Sequence, residues 1–227
     1  HSIKPEGEVK LFNLSFASYA IEAAGFYELI GMNGNRFFML NEIDQTMQGG
    51  DREHYEKDMN LEELCNQFRN FAASQLKLYY SIEDIRRFIS NLASTHVLIM
   101  QGMSGTGKTS LAYAFGEFIK NPSAIVPIQP MWKERSDLLG YYNEFTKKFN
   151  ETEVLRRIYE STYNDDINII VLDEMNIARV EYYFAEMLSI LEMPRQEEWK
   201  VDIVTAVWDN DPCLIKGGNV QITNNIW

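Results

Sequence analysis

"LIMQGMSGTGKTSLAYAF", residues 98–115, sets three glycines, a lysine and a threonine between an apolar run and a segment of helical periodicity. Gly102, Gly107, Lys108 and Thr109 fit the spacing G-x-x-x-x-G-K-[ST]. They stand between a predicted strand, "VLIM" (97–100), and a predicted helix, "TSLAYAFGEFI" (109–119), the context that a phosphate-binding loop requires. Glycine suits such a loop because the chain bends through backbone angles that a side chain blocks, and successive N–H groups converge on phosphate oxygens. The helix beginning near Lys108 points its positive end at the same anion. The candidate phosphate-binding residues are therefore Gly102, Met103, Ser104, Gly105, Thr106, Gly107, Lys108, Thr109 and Ser110. In this reading Lys108 reaches the β- and γ-phosphates and the Thr109 hydroxyl binds Mg²⁺.

A hydrolase of this kind needs a carboxylate at the end of a buried strand, and "INIIVLDEMN" (167–176) supplies one. Asp173 follows the apolar residues Ile169 to Leu172 and is the second candidate Mg²⁺ ligand, directly or through water. Glu174 beside it is the candidate base that orients and activates the attacking water. Alone, an apolar run ending in two acids is a weak signal. Downstream of a phosphate loop it becomes the expected partner, and the combination points to hydrolysis of a nucleoside triphosphate, ATP or GTP.

Working outward, "AIVPIQ" (124–129) and "INIIVL" (167–172) read as further strands, with helical segments between them, including "EVLRRIYESTY" (153–163). Strands separated by helices indicate parallel βαβ units and a three-layer α/β domain. Ahead of it, Ser81 with Glu83 and Asp84 opens a predicted helix through Leu92. Leu61, Leu64, Phe68, Phe71 and Leu78 recur at roughly helical spacing, which predicts an amphipathic helix over 61–78. Residues 16–30 read as a helix, 36–40 ("RFFML") as a short apolar segment and 48–58 as a polar loop. The organisation expected is a mostly helical N-terminal region, 1–78, and a nucleotide-binding core, 79–227.

After the acidic pair, Val180, Tyr183, Phe184, Met187, Leu188 and Leu191 form one helical stripe of core type. Asn176 and Arg179 fall in the turn before it, facing either nucleotide, a neighbouring subunit or solvent. "CLIKGGNVQI" (213–222) reads as two short strands joined by Gly217-Gly218.

The 227 residues are 45% hydrophobic and 24% charged, a globular composition with no apolar run of about 18 residues that would span a membrane. A net charge of −12 argues against a generic phosphate-backbone binder, so contact with DNA would belong to other parts or other subunits. Cys65 and Cys213 are too few for a disulfide framework or metal site, which leaves buried thiols in a reducing cytoplasm as the expectation.

"GMSGTGKTSL" (102–111), "LLGYYNEFTKKF" (138–149) and "LDEMNIARVEYYFAEMLSILE" (172–192) together resemble the AAA+ modules of the McrB type, the nucleotide-driven motor of methylcytosine-dependent restriction, and its bacterial relatives. The resemblance covers about residues 79–227. It implies an α/β P-loop NTPase (AAA+) fold, a three-layer sandwich with a parallel sheet, preceded here by the small helical region. It also implies Mg²⁺ as cofactor, assembly into a homo-oligomeric ring, commonly a hexamer, and a nuclease subunit as partner. McrB itself resembles a GTPase among ATPases, so the base stays open. Family members carry a sensor residue on the strand after "NNIW", then an arginine finger and a helical lid. The chain stops at Trp227, so a C-terminally incomplete core, weak or inactive by itself, is expected, with a strand missing between "VLIM" and "INIIVL". The resemblance places Trp132, Lys133 and Tyr141 in a stretch where related rings expose substrate-facing loops; a surface loop with a packed tryptophan is the other reading. A nucleotide-dependent assembly scaffold with little hydrolysis, and a MoxR-like chaperone ATPase, are the alternative functions.

Overall fold

A computed structural model describes residues 35–47 and 60–227, so the expected helix at 16–30 and loop at 48–58 lie outside the described residues. Helix α1, Met39–Met47, buries Leu40 and Ile43. Its first turn is capped from far along the chain, because the Glu151 carboxylate accepts the backbone N–H groups of Phe38, Met39 and Leu40, each at 2.8 Å. A helix start otherwise leaves such donors unsatisfied.

Helices α2, Leu61–Gln75, and α3, Ile82–Leu92, are capped locally. The Asn60 side chain accepts from the Glu63 N–H at 2.8 Å, and Ser81 Oγ accepts from the Asp84 N–H at 3.1 Å, the capping expected at Ser81. Both helices pack on α4, Lys108–Phe118. Cys65, Phe68 and Ala72 of α2, Ile85, Phe88 and Ile89 of α3, and Leu111, Ala112, Ala114 and Phe115 of α4 close into one apolar core. Phe68 is its centre, wholly buried, with an edge-on contact to Phe115 at 5.2 Å between ring centroids.

The parallel pair is β1, Ala124–Pro127, beside β4, Ile170–Asp173, in the register Ala124↔Ile170 through Pro127↔Asp173. Side chains alternate across a strand. Ile169 and Val171 accordingly join the core of α2, α3 and α4, whereas Ile170 and Leu172 join a second core. That second core is built by α1, α5 (Arg135–Leu139), α6 (Glu153–Ser161), α7 (Val180–Tyr183) and α8 (Ala185–Leu191). The parallel pair thus has helices on both faces.

Two antiparallel pairs complete the strands among the described residues: β2, Tyr141–Asn143, with β3, Lys148–Asn150, and β5, Lys200–Asp202, with β6, Asn219–Gln221. The β2–β3 hairpin begins at Tyr141, inside the stretch that the sequence left open as either a substrate-facing loop or a surface loop. Its turn is tied by Asn143 Oδ1, which accepts from the N–H groups of Phe145 and Thr146.

The structure corrects several expectations. "VLIM" (97–100) joins no ladder and Ile99 is exposed, while the free edge of β4 is taken by residues 225–227. The Asn168 N–H donates to the Asn225 carbonyl and the Ile170 N–H to the Trp227 carbonyl, both at 2.7 Å, while the Trp227 N–H donates to the Asn168 carbonyl at 2.8 Å. Residues 225–227 lie between β4 and His96, whose ring stacks on Trp227 with centroids 5.4 Å apart. The helix expected over 61–78 ends at Gln75, because Lys77 takes the left-handed φ of 59°. The single stripe over 180–191 is split at Phe184, where φ is −118°, into α7 and α8; Tyr183 and Met187 are buried as expected but Leu188 is exposed. The Gly217-Gly218 turn closes only the Lys216–Asn219 bridge, and the long partner of Asn219–Gln221 is β5; the N–H groups of Cys213 and Leu214 go instead to Asp44 and the Tyr159 hydroxyl. Cys65 is buried, but Cys213 is exposed.

Candidate active site

The loop of residues 102–107 leaves an apolar, unladdered segment and enters α4, and its bends fall at two glycines. Gly105 has φ 77° and Gly107 φ 85°, angles that an L side chain seldom adopts. Gly107 is also the N-cap of α4 and offers no side-chain cap. The first backbone N–H groups of the helix, from Lys108 to Ser110, precede its internal ladder, which begins with the Leu111 N–H donating to the Gly107 carbonyl at 2.9 Å. Those leading donors and the helix dipole give the loop the chemistry to accept an anion.

Within the loop, Thr106 Oγ1 donates to the Met103 carbonyl at 2.9 Å. Lys108 Nζ donates to the carbonyls of Gly102 at 3.0 Å and Met103 at 2.7 Å. The ammonium therefore spans the mouth of the loop. Residues Gly102 to Thr106 are exposed, and Gly107, Lys108, Thr109 and Ser110 are half-buried.

The β1–β4 register carries Asp173 to the C-terminal end of the strand, where its backbone carbonyl accepts from the Ile128 N–H at 3.0 Å. Thr109 Oγ1 donates to Asp173 Oδ1 at 2.7 Å across 64 residues of chain. The two sequence motifs are thus one site. A hydroxyl and a carboxylate in contact form an all-oxygen donor set, which fits Mg²⁺, a cation that takes one or two protein oxygens and completes its octahedron with phosphate and water.

Glu174 follows at once and holds a left-handed conformation, φ 55° and ψ 41°, unusual for a residue with a side chain. The strain costs on the order of 1–3 kcal/mol and persists only where the surroundings enforce it. Here they do so by hydrogen bonds: the Ile177 N–H donates to the Glu174 carbonyl at 3.0 Å, and Tyr183 Oη donates to the Met175 carbonyl at 3.0 Å. Burial pushes the Tyr183 hydroxyl above the ordinary tyrosine pKa, so it stays a donor. Trp132 meets Tyr183 edge-on at 5.4 Å, which makes it a packed, half-buried tryptophan behind the acidic turn. Lys133 and Tyr141 are exposed. Arg179 is exposed too, its guanidinium donating to Tyr182 Oη at 3.1 Å, and Asn176 is exposed in the same turn.

One contact at the loop has no motif behind it. Tyr80, in the connector between α2 and α3, donates its hydroxyl to the Gly107 carbonyl at 3.0 Å. A lone tyrosine between two helices carries no pattern, and only its neighbour Tyr79 and the apolar alternation of Leu76, Leu78 and Tyr80 hinted at an inward-facing run.

A glycine-bent loop entering a helix, joined to a strand-end carboxylate, defines the class of P-loop nucleotide-binding proteins. Residues 97–204 match the AAA domain of the dynein-related subfamily, which supports an AAA+ ATPase module with the P-loop α/β fold. Domains of that family are nucleotide-dependent ATPases and commonly assemble into rings. No curated protein and no solved structure matches the chain. Among the described residues no helix is long and apolar enough to cross a membrane.

Proposed function

We propose that this chain carries the nucleotide-hydrolysing core of an AAA+ motor of the McrB type, a three-layer module that assembles into a homo-oligomeric ring and drives a nuclease partner. The observation that carries the nucleotide site is the 2.7 Å contact of Thr109 Oγ1 with Asp173 Oδ1 at the N-terminus of α4. The helices on both faces of the β1–β4 pair support the three-layer arrangement.

In this reading the loop N–H groups and α4 bind the triphosphate, and Lys108 exchanges the carbonyls of Gly102 and Met103 for β- and γ-phosphate oxygens. Thr109 and Asp173 would hold Mg²⁺, which would supply neutralisation of the charge developing on the phosphates. Glu174, on its strained turn, accepts a proton from the attacking water and orients it. Positioning by the loop and charge stabilisation by Lys108 carry most of the rate.

The test is calorimetric titration of the chain with Mg-ATP and Mg-GTP, with Lys108→Ala as control. Saturable binding that Lys108→Ala weakens at least tenfold is expected, and the tighter nucleotide identifies the base. Absence of binding by the chain, or equal binding by Lys108→Ala, overturns the assignment of the loop.

A further inference from the structure

The carbonyl of Gly107 accepts two hydrogen bonds of different origin: the first ladder bond of α4 and the hydroxyl of Tyr80. The tyrosine ring also lies hard against the glycine. A Cβ at residue 107 would sit 3.2 Å from Tyr80 Oη and 3.3 Å from its Cε1, tighter than ordinary side-chain contact. Tyr80 itself is half-buried and packs against the core of α2, α3 and α4, so its ring is held from behind. That burial raises its pKa above the ordinary tyrosine value, which keeps the hydroxyl protonated and donating.

The Gly107–Lys108 peptide is planar and trans, so its C=O and N–H point in opposite directions. Fixing the carbonyl therefore fixes the N–H of Lys108, the first donor of α4 and one that precedes its internal ladder. A serine or aspartate N-cap could not do this from position 107, where φ is 85°. Control of that peptide has passed to a residue from the preceding helical pair.

We infer that Tyr80 is a positioning residue for the phosphate loop: its hydroxyl clamps the Gly107–Lys108 peptide so that the Lys108 N–H is held ready for a phosphate oxygen. The α2–α3 pair is thereby coupled to nucleotide binding through one hydrogen bond. This rests on the proposed nucleotide site.

The experiment is titration of the whole chain with Mg-ATP and Mg-GTP in three forms: unmodified, Tyr80→Phe and Leu78→Ala. Tyr80→Phe keeps the ring and loses only the hydroxyl. Leu78→Ala loosens the same core without removing the bond to Gly107. Loss of one hydrogen bond that orders a donor is expected to raise the Kd of Tyr80→Phe about two- to tenfold, while Leu78→Ala lowers the melting temperature but binds as the unmodified chain does. Unchanged affinity in Tyr80→Phe overturns the inference and leaves the nucleotide site standing. Equal weakening in both variants also overturns it, because general loosening then explains the effect. Failure of the unmodified chain to bind either nucleotide overturns the proposed function and this inference with it.

Discussion

At the residue scale, Glu174 and the loop glycines separate chemistry from conformation. Replacing Glu174 with Gln keeps the volume and the left-handed turn but removes the carboxylate proposed as the base. On the proposed mechanism, nucleotide binding by Glu174→Gln is expected to stay within about threefold while turnover falls by a factor of about 10² or more, as loss of general-base catalysis does; steady-state phosphate release alongside calorimetry checks it. Undiminished turnover removes Glu174 from the mechanism. The glycines give a paired comparison. A Cβ added at Gly105 would meet nothing within 4 Å, so Gly105→Ala costs only the left-handed strain, about 1 kcal/mol. At Gly107 the same strain adds to the Tyr80 contact at 3.2 Å, so Gly107→Ala is expected to cost more and to weaken nucleotide binding as well. Urea unfolding of the two variants gives the order; the reverse order contradicts the packing described.

At the element scale, α4 is both the floor of the site and a wall of the core. Phe68 of α2, wholly buried, touches Phe88, Phe115 and Phe118. Truncation to alanine removes those contacts and leaves a cavity, a change that costs about 3–5 kcal/mol in well-packed cores. Phe68→Ala is expected to lower stability by that amount in denaturant unfolding. A loss below about 1 kcal/mol would mean that α2 is not packed on α4 as described.

At the scale of the whole molecule, the segment 35–47 is pinned to distant parts of the chain by buried polar groups. The Arg36 side chain is 5% exposed and pairs with that of Asp211, 1% exposed, through Nη2–Oδ2 at 2.5 Å and Nε–Oδ1 at 2.7 Å. Its guanidinium lies 4.2 Å from the centre of the Trp208 ring. Asp211→Ala strands that cation among aromatic rings, and breaking a buried pair in this way costs about 3–5 kcal/mol; denaturant unfolding measures it. Asp44 makes a second pin, accepting from the hydroxyls of Tyr159 and Tyr163 and from the Cys213 N–H. Burial, then the hydrogen bond to Asp44, raises the pKa of both tyrosines well above 10. The unfolded chain, with tyrosines near pKa 10, ionises first. Stability from these groups is therefore complete below about pH 10 and falls as pH rises past it. Melting temperature between pH 8 and 11 should drop, and Tyr163→Phe should flatten that drop; an unchanged slope dissociates the effect from this cluster.

The phosphate loop, the acidic pair and the Ser81-capped helix were legible because each depends on requirements local to the chain. Gly105 and Gly107 answer to backbone angles, Ser81 and Asp84 to a helix start, and Ile169–Leu172 to an unbroken apolar run that ends in two acids. Strand pairing was not legible at 97–100 or at 213–222, where an apolar run looks the same whether or not a neighbour completes its ladder. The double role of Gly107's carbonyl, the meeting of Thr109 with Asp173 and the capping of α1 by Glu151 were decided by tertiary structure alone. They join residues 27, 64 and 111 or more positions apart. By itself the sequence determined where the phosphate-loop spacing and the strand-end acids fall; packing decided which backbone and side-chain groups around them are held in contact, because a hydrogen bond between distant residues exists only once the intervening chain has folded.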